Sequence, residues 1–485
     1  MRICFVTSEL APLVKVGGLA DVSGALPREL LSRGHDVRVY LPLYNKVRAS
    51  LGDRPLTPGL KGELTLGSRT YRFALATTRV PGSDVEVQLV DCPALYDRPG
   101  TYTEDDDEHL RFVLLTRAAI EACQATQWSP DILHCNDWQT ALGPLYLKTV
   151  YAWDRLFERT RSILTIHNLG YQGTFAVTPA SLGLGDAARL LPPEDVRAGK
   201  LNFLKAGITY ADALTTVSPT YAQEIQTPRL GMGLDGLLRQ RAGALTGILN
   251  GVDTQEWDPR TDPHLASRYS EKSLYRKEKN KETLLTALGL PYTKGVPVLG
   301  IVTRLSAQKG IELLDPTLPA LLAERDIRFV ALGSGEPRLE QLLKGIQARF
   351  PERACFYRGF SEELAHRIEA GADLFLMPSI YEPCGLNQMY SMRYGTAPVV
   401  HATGGLADTV RHFNPATGEG NGFVFEHPTH TGLGWALDKA LEAYADPKAW
   451  RRLQTNGMTT DFSWAERAGQ YEELYRRVAA PVEAR

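Results

Sequence analysis

The sequence predicts an α/β protein made of two doubly wound domains, each built on a parallel sheet, and three observations carry that expectation. At 485 residues the chain exceeds what one ordinary hydrophobic core holds. Short apolar runs alternate with Gly-bearing loops and stretches of helical spacing, the order in which strand-helix units build a parallel sheet. The alternation also starts twice, at residue 3 and again near residue 296.

In the first block Ile3 to Val6 reads as a buried strand, "KVGGLADV" as a loop opening a helix that ends near Gly34, and "DVRVYLPLY" as the next strand. "DILHC", "SILTIH" and "ALTTVS" follow as further short strands, each with a polar or Gly-containing loop behind it. The second block opens with "VPVLGIVTRLSAQKG", residues 296 to 310, and continues through "RFVALGSGE", "CFYRGF" and "ADLFLMPS". The blocks meet at "ILNGVDTQEWDP", where Asn250, Gly251, Asp258 and Pro259 are turn formers. This sets an N-terminal domain at 1–255 and a second at 256–460. The charge run "EKSLYRKEKNK" reads as a solvated helix or loop. In open α/β sheets ligands bind beyond the C-terminal ends of the strands, so the two domains are expected to present their loops to a deep cleft between them.

Bulk properties exclude several classes. Lys plus Arg is 54 against 56 for Asp plus Glu, a net charge of −2, which gives no electrostatic footprint for nucleic acid. Six dispersed cysteines without a CxxC pair suggest reduced thiols in a cytosolic protein. "MRICFVTSEL" is too short in apolar residues for a secretory signal, and no run is long enough to span a membrane. A cytoplasmic location is the expectation. Serine-hydrolase and HExxH patterns are absent.

Candidate chemistry collects at strand ends. Gly17 and Gly18 open a helix, where backbone amides and the helix dipole favour an anion, and Lys15 adds a full charge; a purely structural turn is the plainer alternative. Arg304 and Lys309 lie five residues apart on a strand-to-helix loop, suited either to clamping a diphosphate leaving group or to a solvated surface. Glu382 follows the apolar run 374–377, with Gly385 and Leu386 behind it opening a helix; it is either a cap or a group addressing a sugar or a cationic intermediate. His167 and Asp137 each end a strand. The acidic run "TEDDDEH" precedes the amphipathic "LRFVLLTRAAIEAC", where acids suit a helix N-terminus better than a DxD-type metal pair. Cys384 has no His near it in sequence and reads as a small lining residue, not a nucleophile.

Taken together, "KVGGLADV" with "GALP", "HCNDWQT", "TIHNLGYQG", "TVSPTYAQEI", "GILNGVDTQEWDP", "TRLSAQKG", "EPCGLNQMYSMRYGTAPVV" and "TGGLADTV" resemble, in order, the bacterial glycogen synthases of the starch-synthase family of retaining glucosyltransferases. The match runs from Met1 to about residue 475. The resemblance implies two Rossmann-like domains facing a deep cleft (GT-B type), with "FSWAERAGQYEELYRRV", in a segment 461–485, as a helix returning to the first domain. It implies ADP-glucose as donor, the non-reducing 4-hydroxyl of an α-1,4-glucan as acceptor, and no metal or other cofactor. By the same resemblance Lys15 and Gly18 belong to the donor-phosphate loop with Gly17, and Asp21 is a donor-contacting acid. Arg304 and Lys309 would hold the leaving diphosphate, and the amides of Gly385, Leu386 and Asn387 would receive phosphate. Glu382 would face the transferring sugar, with Cys384 in its lining. His167, Asp137 and Asn250 fall at glucose-side positions, Tyr96 lines the cleft, and Phe360 stacks on adenine. Where the family has a shorter "Y-x-D-N" pattern, this chain reads "YTEDDDEHLRF", a departure on the acceptor side.

Two other functions fit parts of this pattern. A related transferase using UDP-glucose or making a disaccharide would share the anion-binding loops, and a catalytically silent sensor of nucleotide sugar or glucan would share the fold.

Overall fold

A computed structural model describes residues 1–480, with the side chains of Asp186, Pro193 and Glu194 outside that description. The chain divides into two compact units. Unit 1 comprises Met1–Gly251 together with the segment from Trp464 onward, and unit 2 comprises Val252–Ser463. The expected junctions at 255/256 and 460/461 therefore move to 251/252 and 463/464. The chain passes out and back side by side there: the Val252 amide donates to the Phe462 carbonyl at 2.8 Å, and Val252 bridges Ser463 in parallel.

Unit 1 contains strands β1 (Arg2–Val6), β2 (Asp36–Pro42), β3 (Thr57–Leu66), β4 (Arg69–Arg79), β5 (Glu86–Asp91), β6 (Ile132–Asn136), β7 (Arg161–Ile166), a small hairpin of β8 (Thr174–Phe175) and β9 (Leu201–Asn202), then β10 (Ala213–Thr216) and β11 (Leu245–Gly247). Nine of them form one sheet in the order β11-β10-β7-β6-β1-β2-β5-β4-β3. It is parallel from β11 to β5, and β4 pairs antiparallel with both β5 and β3. β1 lies at the centre, with Phe5 opposite both Val39 and His134, and Ile3 through Val6 are fully buried. A strand covered on both faces needs apolar residues without alternation, which is why the "ICFV" run is continuous.

Unit 2 contains β12 (Val298–Val302), β13 (Arg328–Gly333), β14 (Ala354–Arg358), β15 (Leu374–Met377), β16 (Ala397–His401) and β17 (Phe423–Phe425), all parallel, in the order β14-β13-β12-β15-β16-β17. Its core joins Leu299, Ile301, Phe329, Leu374 and Val399 of the strands to Leu318, Leu322, Leu339 and Leu437 of the covering helices. In both sheets the strand order reverses beside the first strand of the block, β1 and β12, the arrangement that opens a crevice at the C-terminal strand ends.

The charge run is only partly the solvated element expected: Lys272, Tyr275, Arg276 and Lys279 are exposed, but its last five residues open the helix Lys277–Ala287, in which Lys277 and Lys281 are 5% and 2% exposed. Lys281 pairs with Asp373 at 2.9 Å, and Lys277 donates to the carbonyls of Glu369 and Ala370 and to Thr396. Long aliphatic stems let lysines enter a core when their ammonium groups find acceptors at the far end. The C-terminal helix, Trp464–Ala479, belongs to unit 1: its Tyr475 hydroxyl meets His134 Nδ1 at 2.7 Å, and Glu472 meets His35 at 3.2 Å. The last five residues of the expected returning segment lie outside the described residues. No helix of the described residues is long and apolar enough to cross a membrane.

Candidate active site

In unit 2 two strand-end loops are laced together. After β12, Arg304 is exposed, and among the described residues no ion pair or hydrogen bond is made by its side chain. Lys309 ends the short helical turn Ala307–Lys309, and its ammonium meets Glu382 Oε2 at 2.6 Å, with side chains 18% and 6% exposed. Ser379 donates to the same oxygen at 2.9 Å. Backbone contacts join the loops as well: the Ile380 amide donates to the Gln308 carbonyl at 2.9 Å, and Gln308 Nε2 reaches the Tyr381 carbonyl at 3.3 Å. Gly310 makes this approach possible. It sits at φ +64°, and a Cβ there would lie 2.0 Å from the Pro378 carbonyl oxygen. Lys309 and Glu382, 73 residues apart in sequence, thus form one charged pair, and the loop that carries Lys309 also carries exposed Arg304.

Glu382 does not stand directly before a helix. The helix begins at Asn387 and runs only to Arg393. Between them Gly385 turns the chain at φ +70°, and Gln388 folds back to donate to the carbonyls of Cys384 and Gly385. Asn387 anchors the helix start by donating to the Val302 carbonyl at 2.9 Å. Cys384 is 4% exposed. Phe360 follows β14 and is 77% exposed, an aromatic ring presented to solvent at a strand end.

In unit 1 the loop after β1 is organised by Glu9, a residue the sequence reasoning did not single out. Its carboxylate accepts the amides of Val16 at 2.7 Å and Gly17 at 2.9 Å, and the Tyr102 hydroxyl at 2.7 Å. Burial raises its pKa and these three donors lower it, with the net shift upward. The Gly17 amide therefore serves the protein's own carboxylate, which corrects the expectation that Gly17 and Gly18 offer a pair of amides to an anion. What the loop does present is Lys15, half-exposed and paired with Asp21 at 2.6 Å, at the start of the helix Gly18–Ser32. The signal for Glu9 was available, since it stands just beyond a strand end as Glu382 and His167 do.

Around β6 and β7 a second cluster forms. Asp137 takes the left-handed conformation at φ +54°, and its Oδ1 accepts the His167 amide at 2.7 Å and that of Asn168 at 3.4 Å. Burial pushes its carboxyl up to about 7. His167 Nε2 meets Asn136 Oδ1 at 3.0 Å, while Asn136 Nδ2 donates to the Val6 carbonyl. Because Asn136 offers His167 an acceptor, the imidazole proton sits on Nε2 and Nδ1 is left with a lone pair. That Nδ1 is buried without a hydrogen-bond partner, and burial holds the ring's pKa down at about 3. His167 is thus a neutral imidazole with one acceptor to offer. Asn250 is 4% exposed, and its Oδ1 likewise lacks a partner.

Tyr96 is not a surface-lining residue. It is 1% exposed, and its hydroxyl donates to the Arg111 carbonyl at 2.7 Å, behind the loops and not on them. The acidic run is spent on structure: Asp105 and Asp107 pair with Arg98 at 2.9 and 2.8 Å, and Glu108, in the first turn of the helix Glu108–Ala125, pairs with fully buried Arg111 at 2.8 Å. Neither strand-end cluster gathers three metal-ligating side chains. Among the described residues the one such group is Glu256, Glu362 and His366 of unit 2.

Comparison with known proteins places this geometry. Residues 2–240 match the starch synthase catalytic domain family, and residues 290–457 match glycosyl transferases group 1. The chain is 47% identical to the glycogen synthase of Cellvibrio japonicus and 48% identical to that of Anaeromyxobacter sp., covering 99% of this chain in each case and 99% and 100% of those proteins. The catalytic domain of starch synthase IV from Arabidopsis thaliana, solved with ADP and acarbose, superposes with a TM-score of 0.90 at 36% identity over 99% of both chains. A sucrose-phosphate synthase from Thermosynechococcus elongatus shares the fold alone, at 17% identity and a TM-score of 0.61. The chain is an enzyme of the glycogen and starch synthase family, a GT-B type glycosyltransferase.

Proposed function

We propose that this enzyme transfers glucose from ADP-glucose to the non-reducing 4-hydroxyl of an α-1,4-glucan with retention at the anomeric carbon. The observation that carries the reading is the Lys309–Glu382 contact of 2.6 Å, on a loop that also carries exposed Arg304, in a chain whose relatives are named glycogen synthase. As the anomeric C–O bond breaks, charge grows on the diphosphate and the sugar becomes oxocarbenium-like. Arg304, Lys309 and Lys15, with amides from the Gly385–Asn387 turn, are assigned to the first charge; Glu382 is assigned to the second. The neutral His167 is suited to accept a sugar hydroxyl at Nδ1, with Asp137 fixing its backbone. Asn250, Asp21 and Cys384 are assigned to the remaining sugar and donor contacts, and Phe360 to the adenine face. Gly17 and Gly18 shape the Lys15 loop.

Lys309 and Glu382 neutralise one another until a diphosphate competes for the lysine, and that exchange frees the carboxylate to face the sugar. The departing phosphate oxygen takes the acceptor proton on the same face, so no protein nucleophile is needed, unlike a retaining glycosidase with two close carboxylates. No metal is assigned a role, since the acidic run that a DxD reading would use is committed to Arg98 and Arg111. A cytoplasmic location is part of the proposal, supported by six free cysteines, five of them buried.

Lys309→Ala and Glu382→Ala, assayed by ADP release from ADP-glucose and glycogen, should each lower kcat by about a hundredfold, on the order of 3 kcal/mol of transition-state stabilisation. Near-normal turnover in either variant removes that residue from the mechanism. Equal turnover of UDP-glucose would favour the related transferase, and ADP binding without turnover would favour the silent sensor.

A further inference from the structure

A ring nitrogen of His366 and one carboxylate oxygen from each of Glu256 and Glu362 lie within 4.8 Å of one another, in unit 2 and apart from the Lys309–Glu382 pair. Glu362 and His366 are four residues apart on the helix Glu362–Gly371, so they share one face, and Glu256 arrives from the segment that follows the crossing at Val252. Both glutamates are exposed, whereas the histidine is 2% exposed.

Several contacts fix it. His366 Nδ1 meets Asp262 Oδ2 at 2.7 Å, and that carboxylate also accepts the Tyr394 hydroxyl at 2.5 Å, while its Oδ1 accepts the His264 amide at 2.8 Å. With the Tyr394 hydroxyl and the His264 amide already donating to it, the Asp262 carboxylate is an acceptor, and His366 donates to it from Nδ1. The ring stacks on Trp257 with centroids 3.8 Å apart and planes 11° from parallel, and Tyr390 stacks on Trp257 at 3.9 Å. Rotation of the imidazole is blocked by the aromatic stack and by the aspartate together.

This leaves Nε2, which is buried and has no hydrogen-bond partner. A buried polar atom without a partner calls for an explanation. A carboxylate holding one nitrogen of an imidazole leaves the other as the nitrogen available to a metal ion, and here that is Nε2. We propose that Glu256, Glu362 and His366 Nε2 bind one divalent first-row transition ion of the zinc type, with water completing the shell. One imidazole and two carboxylates suit such an ion better than calcium or magnesium, which prefer oxygen alone. In a tetrahedral site with bonds of about 2 Å the ligand atoms stand roughly 3.3 Å apart, a contraction within reach of two exposed glutamates. The ion would tie the segment around Trp257 to the helix that follows Phe360, a structural role separate from the transfer chemistry.

Zinc titrated into the full chain after chelator treatment and desalting, followed by calorimetry and by cobalt absorption in parallel, tests this. The wild type should bind one equivalent that Glu256→Gln and Glu362→Gln each weaken by at least about tenfold. Each metal-free glutamate variant should keep the wild-type far-ultraviolet circular dichroism, so that a lost equivalent of zinc is not lost folding. His366→Gln should also lose the equivalent, but it disturbs Asp262, so the glutamate variants decide. Undiminished zinc affinity in both glutamate variants, or no zinc bound by the wild type up to about 0.1 mM, would overturn the proposal.

Discussion

His167 and Asp137 show how burial, as the largest influence on each, moves two side chains in opposite directions. Burial lowers the histidine to about 3 and raises the aspartate to about 7. His134, fully buried between Thr165 and Tyr475, is likewise lowered to about 3 by burial and by the neighbouring His167. The folded state therefore binds fewer protons at these two histidines than an unfolded chain, whose imidazoles titrate near 6.5. Their contribution to stability is complete above pH 6.5 and is lost as pH falls toward 3, at up to roughly 1.4 kcal/mol per pH unit for each. Asp137 works in the other sense: its contribution is complete below 3.8 and is lost as pH rises through about 7. NMR titration should show both imidazoles neutral and unresponsive down to pH 5, and an inflection for either between pH 5 and 8 would contradict this. At Asp137 the left-handed backbone adds a second test. Asn tolerates that conformation and keeps an acceptor for the His167 amide, so Asp137→Asn should hold the melting temperature close to wild type. Asp137→Ala should cost about 1–2 kcal/mol for the backbone conformation alone.

At the scale of elements, the loops after β12 and β15 behave as one piece. Gly310→Ala would force a Cβ against the Pro378 carbonyl at 2.0 Å and strain φ +64°, so the loop carrying Lys309 must move away from Glu382. Since misplacement by about 1 Å can cost a hundredfold in rate, ADP release should fall by a factor approaching that of Lys309→Ala. Comparable kcat in the Gly310→Ala variant would mean that the contact between the loops is dispensable. These loops were legible in the sequence because charges that make little sense in a core stand a few residues behind each apolar strand: Arg304 and Lys309 behind β12, Glu382 behind β15. What could not be read were partnerships across long separations. Glu9 claims the Gly17 amide only because Tyr102, 93 residues away, pins its other oxygen. Lys277 and Lys281 look solvated in a charge run because their acceptors, the carbonyls of Glu369 and Ala370 and the carboxylate of Asp373, lie about ninety residues downstream. Tyr96 was placed by resemblance alone, and nothing local to it tells that the Arg111 carbonyl takes its hydroxyl inward. The helix after Glu382 was expected at Gly385 because its apolar spacing starts there, whereas Gln388 spends two bonds capping the turn and delays it to Asn387.

At the scale of the whole chain, the return of the C-terminal helix makes unit 1 discontinuous in sequence, so the integrity of its core depends on residues beyond 463. Trp464, Tyr471 and Tyr475 of that helix are 5%, 0% and 0% exposed. A buried aromatic side chain contributes about 1.5–3 kcal/mol through apolar burial, so losing three of them approaches the 5–15 kcal/mol that holds a typical domain together. A chain ending at Ser463 should therefore leave unit 2 folded and unit 1 unfolded or aggregated, seen as loss of the unit 1 melting transition and rapid proteolysis confined to residues before 252. The milder Tyr475→Phe removes only the bond to His134 and should cost about 1 kcal/mol. Near-native melting of both units in the truncated chain would show that the helix is an accessory, and the expected order of the two effects, severe for truncation and slight for Tyr475→Phe, separates lost burial from one lost hydrogen bond.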